Sequence, residues 1–85
     1  MGDFVYNLFK ALYGLKQAPR AWYDTLSTFL LENKFTRGVV DKTLFYKHHG
    51  EDIILVQIYV DDIIFGSTNE ELYEKFSSLM RNKYE

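Results

Sequence analysis

The sequence predicts an α+β fold in which an antiparallel sheet carries two helices on one face. Two segments repeat apolar residues at helical spacing, and the β-rich runs are joined by connections too short for parallel crossovers. The resulting order is strand, helix, strand, strand, strand, helix. The chain is read as one unit, because it holds no internal repeat, linker or low-complexity tract.

Residues 4–9 (FVYNLF) are short and aromatic-rich, which predicts a strand, and Gly14 marks a turn after it. Pro19 suits the first turn of a helix, where its missing N–H costs nothing. Trp22, Leu26, Phe29 and Leu30 then form one apolar stripe on a helix of about four turns ending near Asn33. Residues 43–47 (TLFYK) read as a second strand, and the polar HHGED segment around Gly50 reads as a hairpin connection. Residues 53–60 (IILVQIYV) form the most apolar segment, and residues 63–65 resume it after Asp61 and Asp62. Thr68 with Glu71 matches a capping box, and Leu72, Phe76, Leu79 and Met80 supply the stripe of the second helix. Glu70 and Glu71 suit its positive end, and Arg81 and Lys83 its negative end. The helix runs to the last residues without a glycine or proline stop, which predicts a fragment of a longer chain. A sheet covered on one face leaves the other to a ligand or to further parts of a larger protein.

At 85 residues, with 47% hydrophobic and 18% aromatic content, the chain is sized for one small core and is not disordered in composition. No apolar run approaches the roughly 18 residues of a membrane span, and no secretory leader opens the sequence, so an intracellular protein is expected. Without cysteine there is no disulfide, thiolate nucleophile or zinc-thiolate site. His48 and His49 are adjacent and project to opposite faces of a strand, so they read as surface residues rather than metal ligands. The net charge of −2 conceals a polarised chain. Residues 10–37 carry five basic groups against two acidic, and residues 51–85 carry eight acidic against three basic. Oppositely charged solvated helix faces would account for this, as would a phosphate-facing segment opposed to a cation-binding one.

The string IILVQIYVDDIIF carries the chemistry. Alternation gives Ile54, Val56 and Ile58 one apolar face and puts Ile53, Leu55, Gln57 and Tyr59 on a mixed face leading to Asp61. Two adjacent carboxylates at a hairpin tip repel unless a cation or proton intervenes. Mg²⁺ prefers such hard oxygen donors and commonly takes one or two protein carboxylates. A hairpin that merely tolerates Asp in its turn is the plain alternative. The absence of glycine between Ile53 and Phe65 weighs against it.

The strings KALYGLKQAPRAWY (residues 10–23) and QIYVDDIIFGST (residues 57–68) resemble the reverse transcriptase domain of copia-type retrotransposon Pol polyproteins, particularly those of plants. The resemblance covers nearly the whole chain and implies a partial polymerase palm spanning residues 1–85. The upstream palm and fingers, the thumb and the ribonuclease H domain would lie outside it. It implies RNA-directed DNA polymerase activity, a two-metal nucleotidyl transfer in which Asp61 and Asp62 hold Mg²⁺, with Mn²⁺ as a substitute. Tyr59 and Val60 would lie near the primer end, Tyr13 and Gly14 would line the nucleotide pocket, and Lys16, Gln17 and Arg20 would contact the template. The implied partners are an RNA or DNA template with primer, deoxynucleoside triphosphates and the rest of the Pol polyprotein, with no membrane. The implied location is a cytoplasmic virus-like particle. The family's third metal-binding aspartate has no counterpart in this sequence, so the chain alone is expected to be inactive. The rival expectation is a noncatalytic remnant that binds nucleic acid or protein.

Overall fold

Strand β4 (Asp52–Ile58) organises the molecule, because its strict alternation of apolar side chains demands a covered face. In the computed structural model, which describes residues 5–9, 19–59 and 62–84, Ile54, Val56 and Ile58 are buried while Ile53, Leu55 and Gln57 are half-buried. Five strands form one sheet in the order β1-β5-β4-β3-β2, where β1 is Val5–Phe9, β2 Thr36–Arg37, β3 Leu44–His49 and β5 Ile63–Ser67. All neighbours are antiparallel, with Phe45 opposite Val56, Val56 opposite Phe65 and Asn7 opposite Phe65.

Helices α1 (Pro19–Glu32) and α2 (Glu70–Tyr84) bury their stripes in a single cluster over one sheet face. Trp22, Leu26 and Leu30 of α1 are fully buried, and Tyr73, Phe76 and Met80 of α2 join them over Phe45, Val56, Ile63 and Phe65. Phe76 meets Phe65 edge-on at 4.8 Å between ring centroids and Phe35 at 5.5 Å. The expected α+β architecture with both helices on one face is therefore observed. No helix among the described residues is long and apolar enough to cross a membrane.

Four local expectations need correction. The β3–β4 hairpin is tighter than the HHGED segment suggested: His49 pairs with Asp52, leaving Gly50 and Glu51 as the connection. Gly50 turns the chain at φ 63°, a conformation open to glycine. Polar His48 and His49 remain in the strand because the ladder uses backbone groups and leaves both side chains exposed. The cap of α2 is Asn69, not Thr68: the Asn69 side-chain oxygen accepts from Glu71 N at 2.8 Å and Leu72 N at 3.2 Å. Thr68 is engaged elsewhere, since its hydroxyl accepts from Ile53 N and donates to Asp52, each at 3.0 Å. Leu79 is 42% exposed, because Tyr73, Phe76 and Met80 define a stripe that leaves it at the margin. Finally, β2 is a strand that sequence patterning missed, only two residues long and exposed on both.

The end of α1 has no glycine, yet it closes as a Schellman motif. Phe35 N donates to Leu30 O at 3.0 Å and Lys34 N to Leu31 O at 3.1 Å, while buried Phe35 and Leu30 make the accompanying apolar contact. Lys34 occupies the left-handed position at φ 73°, where a β-carbon costs about 1–2 kcal/mol. Its side chain is exposed. Lys34→Gly is therefore expected to stabilise the fold by roughly 0.5–1 kcal/mol after the entropy cost of glycine. Urea unfolding of the two proteins checks this, and a lower midpoint for the variant would contradict it.

Candidate functional site

The last β4–β5 ladder pair is Ile58 opposite Ile63. One step further Tyr59 N donates to Asp62 O at 2.8 Å, joining the two strands beyond that pair. Of the residues singled out in the sequence, Arg20, Tyr59 and Asp62 are placed. Val60, Asp61, Tyr13, Gly14, Lys16 and Gln17 lie outside the described residues. Tyr59 is 49% exposed and Asp62 is half-buried, beside each other at the open end of the hairpin. Arg20 is exposed on the first turn of α1.

Two consecutive residues of α1 hold this end of the sheet. The indole N–H of fully buried Trp22 donates to Tyr59 O at 2.9 Å, tying the hairpin to the helix. The Tyr23 hydroxyl donates to Lys42 O at 2.8 Å, tying down the loop that enters β3. That loop lies alongside, because Ile58 N donates to Thr43 O at 2.9 Å.

The β2–β3 loop contains a polar network that sequence reading missed. Asp41 Oδ1 accepts from Thr43 N at 2.9 Å and from the Thr43 hydroxyl at 2.6 Å, and Asp41 Oδ2 lies 3.5 Å from Gln57 Nε2. Gln57 Nε2 also donates to Thr43 Oγ1. These roles fix the amide: the carboxylate can only accept, and the Thr43 hydroxyl has spent its proton on Asp41, so the amide nitrogen must face both. The Gln57 carbonyl oxygen is left free to accept a bond from outside this network. The Thr43 hydroxyl and amide hold the Asp41 carboxyl below its ordinary 3.8. The Asp-x-Thr spacing was a legible turn signal, whereas the Gln57 contact depends on pairing across the sheet.

Gly38 closes the same loop. Its N–H donates to Leu44 O at 2.7 Å, and a β-carbon there would sit 2.5 Å from Asp41 O. Backbone approaches so close that only glycine fits.

The carboxylates of Asp61 and Asp62 are hard oxygen donors that suit a divalent cation. Among the described residues no group of three or more His, Asp or Glu could hold a metal ion. His48 and His49 belong to the other end of the sheet, where His49 pairs with Asp52.

Two outcomes follow from this geometry. Trp22→Phe keeps most of the buried ring but removes the donor to Tyr59, and should cost about 1–3 kcal/mol. Hydrogen exchange should quicken at the Tyr59 amide more than at those of Lys47 and Ile54, and equal change at all three would contradict the bracing role. Asp41, whose folded value is lowered, contributes its stabilisation fully above 3.8 and loses it as pH falls below that towards the depressed value. The Thr43 amide resonance should report this step, and Asp41→Asn should abolish it.

Comparison with known proteins agrees with the resemblance carried by the two strings. Residues 2–85 match the family described as Reverse transcriptase (RNA-dependent DNA polymerase). The chain is 52% identical over 82% of its length to the Retrovirus-related Pol polyprotein from transposon RE2 of Arabidopsis thaliana. Identity is 46% over 82% with the corresponding RE1 polyprotein of the same plant, and 30% over 95% with that of transposon TNT 1-94 from Nicotiana tabacum. It spans only 5% of the length of the first two and 6% of the third. No solved structure matches it significantly. With a match over nearly every residue and half-identity to a plant transposon polyprotein, the chain belongs to the reverse transcriptase family of copia-type Pol polyproteins.

Proposed function

We propose that this chain is the central and later palm of an RNA-directed DNA polymerase, with the β4–β5 hairpin as its metal-binding element. The observation that supports the reading is the sequence pair Asp61 and Asp62 between β4 and β5, next to Tyr59, whose carbonyl Trp22 of α1 holds. Asp61 and Asp62 would hold Mg²⁺, or Mn²⁺ in its place. Bound divalent ions supply charge stabilisation and a lowered hydroxyl pKa in phosphoryl transfer. Here the protein's own part would be to supply two adjacent carboxylates beside Tyr59, whose carbonyl is held by Trp22.

The exposed Tyr59 ring would pack near the primer end, with Val60 beside it. Tyr13 and Gly14 would line the pocket for a deoxynucleoside triphosphate. Lys16, Gln17 and Arg20 would contact the template backbone, giving affinity without sequence preference. A third carboxylate would come from elsewhere in the polyprotein, so this chain alone binds but does not polymerise. The polyprotein would work inside a cytoplasmic virus-like particle.

Titration with Mn²⁺, which broadens nearby resonances, tests the metal role. Broadening should centre on Tyr59 and Asp62 and need at least tenfold more Mn²⁺ in Asp61→Asn. Broadening centred on Glu70, Glu71 and Glu74, or an unaltered Asp61→Asn titration, would refute it. Primer extension on an RNA template should be absent for both proteins. Extension that Asp61→Asn abolishes would overturn the incomplete-palm assignment.

A further inference from the structure

Val39 and Val40 are 90% and 99% exposed, at the tip of the β2–β3 loop. Exposed apolar side chains are common singly, but these two are adjacent and displayed by a constrained backbone. The loop closes through Gly38 N to Leu44 O at 2.7 Å and Leu44 N to Asp41 O at 3.2 Å. The Asp41 carboxylate turns back onto Thr43 and Gln57, so the loop's one acid is engaged within its own network. Arg37 and Lys42 flank the tip and are exposed. Arg37 lies over the Phe45 ring, with its guanidinium carbon 5.8 Å from the centroid, and Lys42 is anchored through its carbonyl to Tyr23.

We infer that this loop is a nucleic-acid contact: Val39 and Val40 pack against sugars in the minor groove of a primer–template duplex while Arg37 and Lys42 meet the flanking phosphates. The inference rests on the polymerase reading and extends it to residues outside the hairpin and the residue 10–23 string. Three observations favour a duplex over other occupants. The charge is complementary to phosphate, with two cations around an apolar tip. Two valines are far smaller than the apolar core of a stable protein interface, which buries upwards of about 1,000 Å² in total. The loop also shares one end of the sheet with the hairpin, and successive residues of α1 tie the two down: Trp22 at Tyr59 and Tyr23 at Lys42. A duplex whose primer end lies at Tyr59 therefore meets the tip at a constant offset.

Fluorescence anisotropy of a labelled primer–template duplex across a salt series tests this. The chain is compared with the double variants Val39→Ser/Val40→Ser and Arg37→Ala/Lys42→Ala, with circular dichroism melts to check folding. Loss of the two cations should lower the slope of log affinity against log salt by about two. Loss of the two valines should weaken binding about five- to tenfold with the slope unchanged. If the unaltered chain binds the duplex and both variants match it in affinity and slope, the loop assignment fails and the polymerase reading survives. If the unaltered chain does not bind the duplex, both fall. Conversion of a dimer to a monomer by the valine variant, without loss of duplex affinity, would assign the tip to a second copy instead.

Discussion

The bond from the Trp22 indole to the Tyr59 carbonyl is the constraint on which the β4–β5 end of the sheet depends. Among the described residues, β4 and β5 are joined beyond their last ladder pair by the backbone bond from Tyr59 N to Asp62 O. The ring that provides the donor is wholly buried, so the bond operates where water does not compete for the indole. Helix α1, the core and the end of β4 are thereby tied together.

Much of this was legible from residue order, for specific reasons. The alternation of Ile54, Val56 and Ile58 could be satisfied only by a covered sheet face, and both helical stripes were long enough to identify their buried sides. Recognition of the chemistry came from the two strings around Gly14 and Asp61, not from periodicity. What escaped notice was short or non-local. The two-residue β2 carries no pattern, and Lys34 gives no hint of a left-handed position that glycine would have announced. Thr68 looked like a cap because nothing in local sequence says that Asp52, 16 residues away, takes its hydroxyl. The Asp41–Gln57 contact is equally distant in sequence and exists because β3 and β4 pair.

The polarised charge acquires a spatial meaning in the fold. Lys42 is tied through its carbonyl to Tyr23 of α1 and Arg37 lies over Phe45, while the acids of α2 crowd its first turns, where the helix dipole favours them. A single chain of net charge −2 can thus present exposed cations on one loop without any large imbalance overall.

The brevity of β2 has a consequence for solubility. A long outer strand would expose a row of unpaired amides and carbonyls on which another chain could extend the sheet. Here that margin ends after Thr36 and Arg37, the backbone turns away at Gly38, and the Arg37 guanidinium lies across Phe45. Stacking of copies through this side meets a blunt, positively charged border, so the sheet is guarded against edge-to-edge aggregation where its strands are shortest.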